Sequence, residues 1–167
     1  MKTRNSLISL VLLVVLLVAM LALALAYQKP NFSGNWALDK GRSFSNPPGL
    51  EQTATITQTG DQIKFDTKLK TDRGGQQAIT ETYTLDGKEV EFKPPAPPNA
   101  AGKRTASWLP NGRGLLIKDE TVVDGKVVQT TTRKWTLSAD GKSLIVDYFI
   151  DTANGSFEAK RVFNKVE

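Results

Sequence analysis

The 167-residue sequence contains no cysteine and no histidine. Without cysteine there are no disulfides and no thioether lipid anchor, so stability must come from packing and from the way the elements close on one another. Without histidine the Ser-His and Cys-His nucleophile pairs are missing, together with nearly every familiar zinc or haem site. We therefore expect no metal, no cofactor and no catalytic residue. Charge of one sign is also scarce. Setting aside Lys2 and Arg4 leaves 20 basic residues against 17 acidic ones, a net charge of +3 on the remainder, and the basic residues are scattered instead of clustered. That pattern gives no basis for nucleic-acid binding.

A long apolar run occurs once, over residues 7–25, interrupted only by Ser9. It follows Lys2 and Arg4 and precedes Ala24-Leu25-Ala26. Charged, apolar and small-residue stretches in that order are those of a secretory signal peptide. The expectation is cleavage after Ala26, with residues 1–26 as signal and residues 27–167 as a single exported domain, periplasmic or secreted. The run approaches the roughly 20 residues that span a bilayer. An uncleaved anchor is thus the alternative, and membrane contact is expected only through this segment if it is retained.

Beyond residue 30 no helical period is sustained. Short runs rich in Thr, Val, Ile and aromatics recur between Gly, Asp and Asn turns, with a period of two. In residues 63–69, Ile63, Phe65 and Leu69 alternate with Lys64, Asp66 and Lys68, which makes one dry and one wet face. Asp86-Gly87, Asp124-Gly125 and Asp140-Gly141 each lie between two such runs and read as tight hairpins, because Asp-Gly tolerates the positive φ of a type I′ turn. About eight to ten antiparallel strands result. Unpaired edges invite aggregation, so an up-and-down β-barrel is expected in preference to a sandwich. Two proline-rich stretches, residues 40–50 and 94–102, cannot pair as central strands. They read either as stiff surface loops or as the rim of a barrel mouth.

The first strand-like run reads Asn31-Phe32-Ser33-Gly34-Asn35-Trp36-Ala37-Leu38-Asp39. It resembles the Gly-x-Trp signature of lipocalins, and more closely the Phe-Ser-Gly-x-Trp-x-Leu-Asp opening of secreted bacterial lipocalin-like, calycin-type proteins. The resemblance implies a barrel closed at one end by Gly34 and Trp36, with an arginine of the last strand packed across the indole. Arg161 is the position that matches. In the related fatty-acid-binding barrels an Arg-x-Tyr pair near the end grips a carboxylate. Here the sequence is Arg161-Val162-Phe163, so that site is not carried over.

Trp36, Trp108 and Trp135 fall on three separate strands, and tryptophans of a small barrel either fill its core or line a pocket. Arg104 shares a strand face with Trp108, and Arg133 shares one with Trp135. An inward arginine would seek a carboxylate such as Glu81 or a bound anion. If those strands emerge at the rim instead, the arginines are solvated. Trp108, Trp135, Arg133, Arg104 and Tyr83 are the candidate ligand-binding residues, with Trp36 buried at the closed end. No acid pair is placed for hydrolysis, since adjacent Asp119 and Glu120 point to opposite faces and Asp147 and Asp151 are roughly 13 Å apart along a strand. The expectation is a monomeric, non-catalytic barrel that encloses a small hydrophobic or amphipathic molecule. The competing reading is an envelope scaffold or inhibitor with a filled barrel that contacts a protein partner.

Overall fold

The structure is a computed structural model that describes residues 29–167, so the signal-segment expectation for residues 1–26 lies outside the described residues. Ten strands form one antiparallel sheet: β1 Gly34–Leu38, β2 Glu51–Thr59, β3 Gln62–Thr71, β4 Gly75–Thr84, β5 Val90–Phe92, β6 Ala101–Trp108, β7 Gly114–Val123, β8 Lys126–Leu137, β9 Ser143–Thr152 and β10 Gly155–Val166. A 3-10 turn, Lys40–Arg42, follows β1, capped by the Asp39 carboxylate. The sheet order is β4-β3-β2-β1-β10-β9-β8-β7-β6-β5, so the first and last strands pair and the free edges are β4 and β5. An all-β, curled antiparallel sheet is what the period of two requires.

The alternation sets the inside of the curl. Ala54, Ile56, Ile63 and Phe65 are buried, whereas Thr55, Thr57 and Lys64 between them are exposed. At β7–β8 the turn reads as the sequence suggests, because Asp124 and Gly125 both take positive φ, 50° and 74°. Asp86-Gly87 does not make a hairpin. Its Gly87 N–H donates to Ala106 O at 2.9 Å, and Asp86 bridges to Ser107, so the chain leaves β4 towards β6 and never pairs β4 with β5. The seam between the free edges is closed by side chains, as described below.

Because successive strands alternate in direction, one end of the curl carries the β2–β3, β4–β5, β6–β7 and β8–β9 connections. That end is solid. Phe32, Trp36, Ile63, Tyr83, Leu115, Trp135, Leu144 and Phe163 form its core, each at most 1 % exposed. Phe32 plugs it from below, with its ring 6.1 Å from Trp135 and 6.3 Å from Trp108, and its carbonyl accepts the Trp36 indole N–H at 3.0 Å. The opposite end carries the remaining connections, including both proline-rich loops. There the upper half of β4, from Gly75 to Thr80, is exposed on both faces.

The closed end corrects one expectation. Trp36 is paired with Lys165, and it is the Lys165 ammonium that lies over its ring, 5.4 Å from the centroid. Arg161 sits four residues earlier on β10, roughly 13 Å away along the strand. Its guanidinium stacks on Tyr148 at 4.9 Å and donates to Asn46 Oδ1 and Gln52 Oε1. Gly34 makes the lysine contact possible. Its φ of +142° disfavours a side chain, and a Cβ there would meet Lys165 Cε at 2.7 Å.

Candidate functional site

Moving from the closed end along the inward faces, the side chains change character within one residue pair on several strands. Tyr83 gives way to Glu81 on β4, Ala106 to Arg104 on β6, Ile117 to Asp119 on β7 and Trp135 to Arg133 on β8. These four charged residues meet. Arg104 Nε donates to Asp119 Oδ1 at 2.5 Å, and its Nη2 donates to Asp119 Oδ2 at 2.9 Å and Glu81 Oε1 at 2.7 Å. Arg133 Nη2 donates to Asp119 Oδ2 at 2.6 Å, and its Nη1 to Glu81 Oε2 at 3.2 Å and the Tyr83 hydroxyl oxygen at 3.0 Å. Tyr83 in turn donates to Glu81 Oε2 at 2.7 Å. All four carboxylate oxygens accept at least one bond, and both guanidiniums lie near the Tyr83 ring, at 5.0 and 5.4 Å.

This belt also closes the seam. Glu81 is on the edge strand β4, and the arginines that hold it are on β6 and β8, so ion pairs do the work that missing β4–β5 backbone bonds would have done. Side-chain exposure of 8 % for Arg104, 9 % for Arg133, 14 % for Asp119 and 21 % for Glu81 keeps the pairs away from bulk screening. Burial opposes ionisation of Glu81, but the Arg133 and Arg104 charges and the Tyr83 hydroxyl outweigh it and hold the carboxyl below its ordinary value. Burial, and then the Glu81 carboxylate, push the Tyr83 phenol far upward, so it stays protonated. Two arginines and two ionised acids sum to zero charge.

Above the belt lies a cavity of about 1070 Å³. Arg104, Arg133, Glu81 and Asp119 form its floor. Ile79, Phe92, Tyr148 and Pro94-Pro95-Ala96 supply apolar wall, and Gln77, Thr121, Gln129 and Thr131 supply neutral hydrogen-bonding wall. Among the described residues of the lining, Lys93 is the one further charged residue, its ammonium donating to Pro98 O at 2.6 Å and Ala100 O at 3.0 Å in the loop at the mouth. Phe92 lies 4.3 Å above the Arg104 guanidinium and across Gly102, where a Cβ would meet its ring at 2.5 Å. The loop 94–102 thus takes the place of a rim at the mouth.

Of the five candidate ligand-binding residues, the structure brings Arg104 and Arg133 to the cavity and leaves three elsewhere. Trp135 is in the solid core, 5.1 Å from Phe65 and 5.8 Å from Tyr83, and Tyr83 is buried beneath the belt. Trp108 is partly exposed, but at the closed end, where Lys29 lies 4.8 Å over its ring and Asp61 accepts its indole N–H at 3.4 Å. Strand periodicity assigns a face and says nothing of height. Arg104 and Trp108 share a face yet stand roughly 13 Å apart along it. Glu81 is a partner that buried-charge reasoning anticipates. Asp119, which forms no acid pair with adjacent Glu120, instead has Arg104 as its partner, directly opposite it on the neighbouring strand.

No protein-family model matches the chain, and no curated protein matches it in sequence. Solved structures do match. Secretory abundant heat soluble protein 4 from Ramazzottius varieornatus superposes with a TM-score of 0.57 at 17 % identity, over 84 % of this chain and 97 % of that one. The fold is calycin-like. A second secretory abundant heat soluble protein of the same organism gives 0.51 at 14 % identity, over 84 % and 99 % of the two chains. Zebrafish ileal bile acid-binding protein complexed with cholic acid gives 0.50 at 18 % identity, over 81 % and 98 %. At these identities the likeness establishes this lipocalin-like fold alone.

Proposed function

We propose that this chain is an exported, non-catalytic binding module that holds a small hydrophobic or amphipathic molecule in the cavity at its open end. The observation that carries the reading is the cavity itself: about 1070 Å³, with walls that are apolar and neutral polar apart from Lys93, above a packed floor. Pockets for small organic ligands run from about 300 to 1,000 Å³ with a few placed polar groups. A filled-barrel scaffold has no use for such a space. The structural neighbour complexed with cholic acid supports the reading by analogy of fold. Absence of catalysis is supported by the belt, whose two acids are engaged by arginines and have no histidine or cysteine beside them. Export rests on the charged, apolar and small-residue order of residues 1–26.

Native mass spectrometry of protein recovered from its own host, before and after solvent extraction, tests this reading. A bound small molecule lost on extraction, whose return raises the melting temperature, is the expected result. Ligand at a hundredfold its Kd stabilises the native state by about 2.7 kcal/mol. A bare mass and no thermal shift with any extract fraction would favour the scaffold.

A further inference from the structure

Resting on the cavity reading above, we propose that the buried end of this cavity receives the uncharged, hydroxyl-bearing head of an amphipath and rejects a carboxylate. Two inward arginines at the floor of a barrel look at first like an anion site. Here they are already neutralised. Glu81 and Asp119 each bridge both guanidiniums, the four unit charges cancel, and every carboxylate oxygen is engaged.

An incoming carboxylate would lie beside two carboxylates of the same sign, both little exposed, and most of the guanidinium N–H groups it would seek are already donated to them. Like charges brought together at a binding site disfavour the ligand that carries them. A neutral hydroxyl carries no such penalty. The wall immediately above the belt offers it the hydroxyls of Thr121 and Thr131 and the amide of Gln129, all uncharged donors and acceptors. Thr131 already accepts from Gln129 Nε2 at 3.0 Å, a pair that a ligand hydroxyl can join without moving charge. Phe92, level with Thr121 and Gln129 in the strand register, Ile79 and Pro94-Pro95 supply apolar wall beside these groups, which suits the remainder of the molecule.

The test uses protein recovered from expression of the full chain, stripped of lipid, and two probes of equal chain length: laurate and 1-monolauroylglycerol. Calorimetry is expected to show the glycerol ester binding at least about tenfold more tightly, and Glu81→Gln, which leaves the belt with one excess positive charge, is expected to shift the ratio at least about tenfold towards laurate. Asp119→Asn serves in place of Glu81→Gln if that variant loses its β circular dichroism. Equal binding of the two probes, tighter binding of laurate, or an unchanged ratio in a folded variant would overturn the proposal and leave the binding module standing. If neither probe binds and no host extract shifts the melting temperature, the cavity reading itself fails and this proposal fails with it.

Discussion

The closed end and the open end of this curled sheet belong to one ten-stranded antiparallel sheet, yet one is a solid aromatic core and the other a cavity. The difference lies in which residues occupy the inward positions at each height. Below the belt they are Trp36, Tyr83, Leu115, Trp135 and Phe163, all nearly inaccessible. Above it they are Ile79, Thr121, Gln129 and Thr131, which leave space instead of filling it. The belt separates the two, so it serves as the roof of a core and the floor of a cavity. Stability and ligand choice are therefore expected to be divided by height along the barrel.

The sharpest contrast is between inward residues of a single strand. Trp135→Ala is expected to cost about 3 to 5 kcal/mol, the range for emptying a large aromatic site in a core. Thr131→Ala, four residues away on the same face, is expected to change stability by no more than about 0.5 kcal/mol. Urea unfolding of both variants measures this difference. Comparable costs would mean that the two ends are not distinct.

Next in size is the belt. Glu81→Gln is expected to cost about 2 kcal/mol near neutral pH, less than a fully buried pair because Glu81 keeps some exposure and Asp119 remains to hold both arginines. Its pH dependence has a definite sign. The Glu81 carboxyl titrates in the folded state below its ordinary value of 4.5, so its ionised form stabilises the fold above about that pH. That contribution is lost as the pH falls through the lower folded value. The stability difference between wild type and variant should therefore be full above about pH 4.5 and shrink as the pH is lowered below it. A difference that is constant with pH would mean that Glu81 is not held ionised by the arginines.

Smaller still is the cation over Trp36. Lys165→Ala should lose about 0.5 to 1 kcal/mol, and a double-mutant cycle with Trp36→Phe should show coupling. The same cycle with Arg161→Ala should be additive, since that guanidinium packs on Tyr148. Coupling of Trp36 to Arg161 instead would restore the arginine that the lipocalin resemblance implies.

What could be read from the sequence follows from what strand physics encodes. Alternation in residues 63–69 and the Asp124-Gly125 turn are local, so they were legible. The pairing of Arg104 and Arg133 with Glu81 was legible only as one alternative beside a bound anion and a solvated rim, because a buried arginine must find a carboxylate but the pattern does not say that it is buried. Three things were not. Asp86-Gly87 has the composition of a hairpin, but its partner is β6, a long-range pairing that no local signal records. Register along β10 chose Lys165 over Arg161 for Trp36, a shift of four residues that preserves the face and so leaves the pattern unchanged. Height was the third: Trp108 and Trp135 carry the right face for a pocket and stand at the wrong end of it.

Height is also what tryptophan fluorescence can report. All three tryptophans lie at the closed end or in its core, so ligand entering the open end should leave their fluorescence unchanged. Phe92→Trp places a reporter on the cavity wall, above the Arg104 guanidinium and opposite Gly102. Titration with 1-monolauroylglycerol should give a saturable change in the Phe92→Trp protein and none in wild type. A saturable response from the native tryptophans, with residue 92 silent, would place the ligand at the other end of the barrel and contradict the division into solid core and cavity.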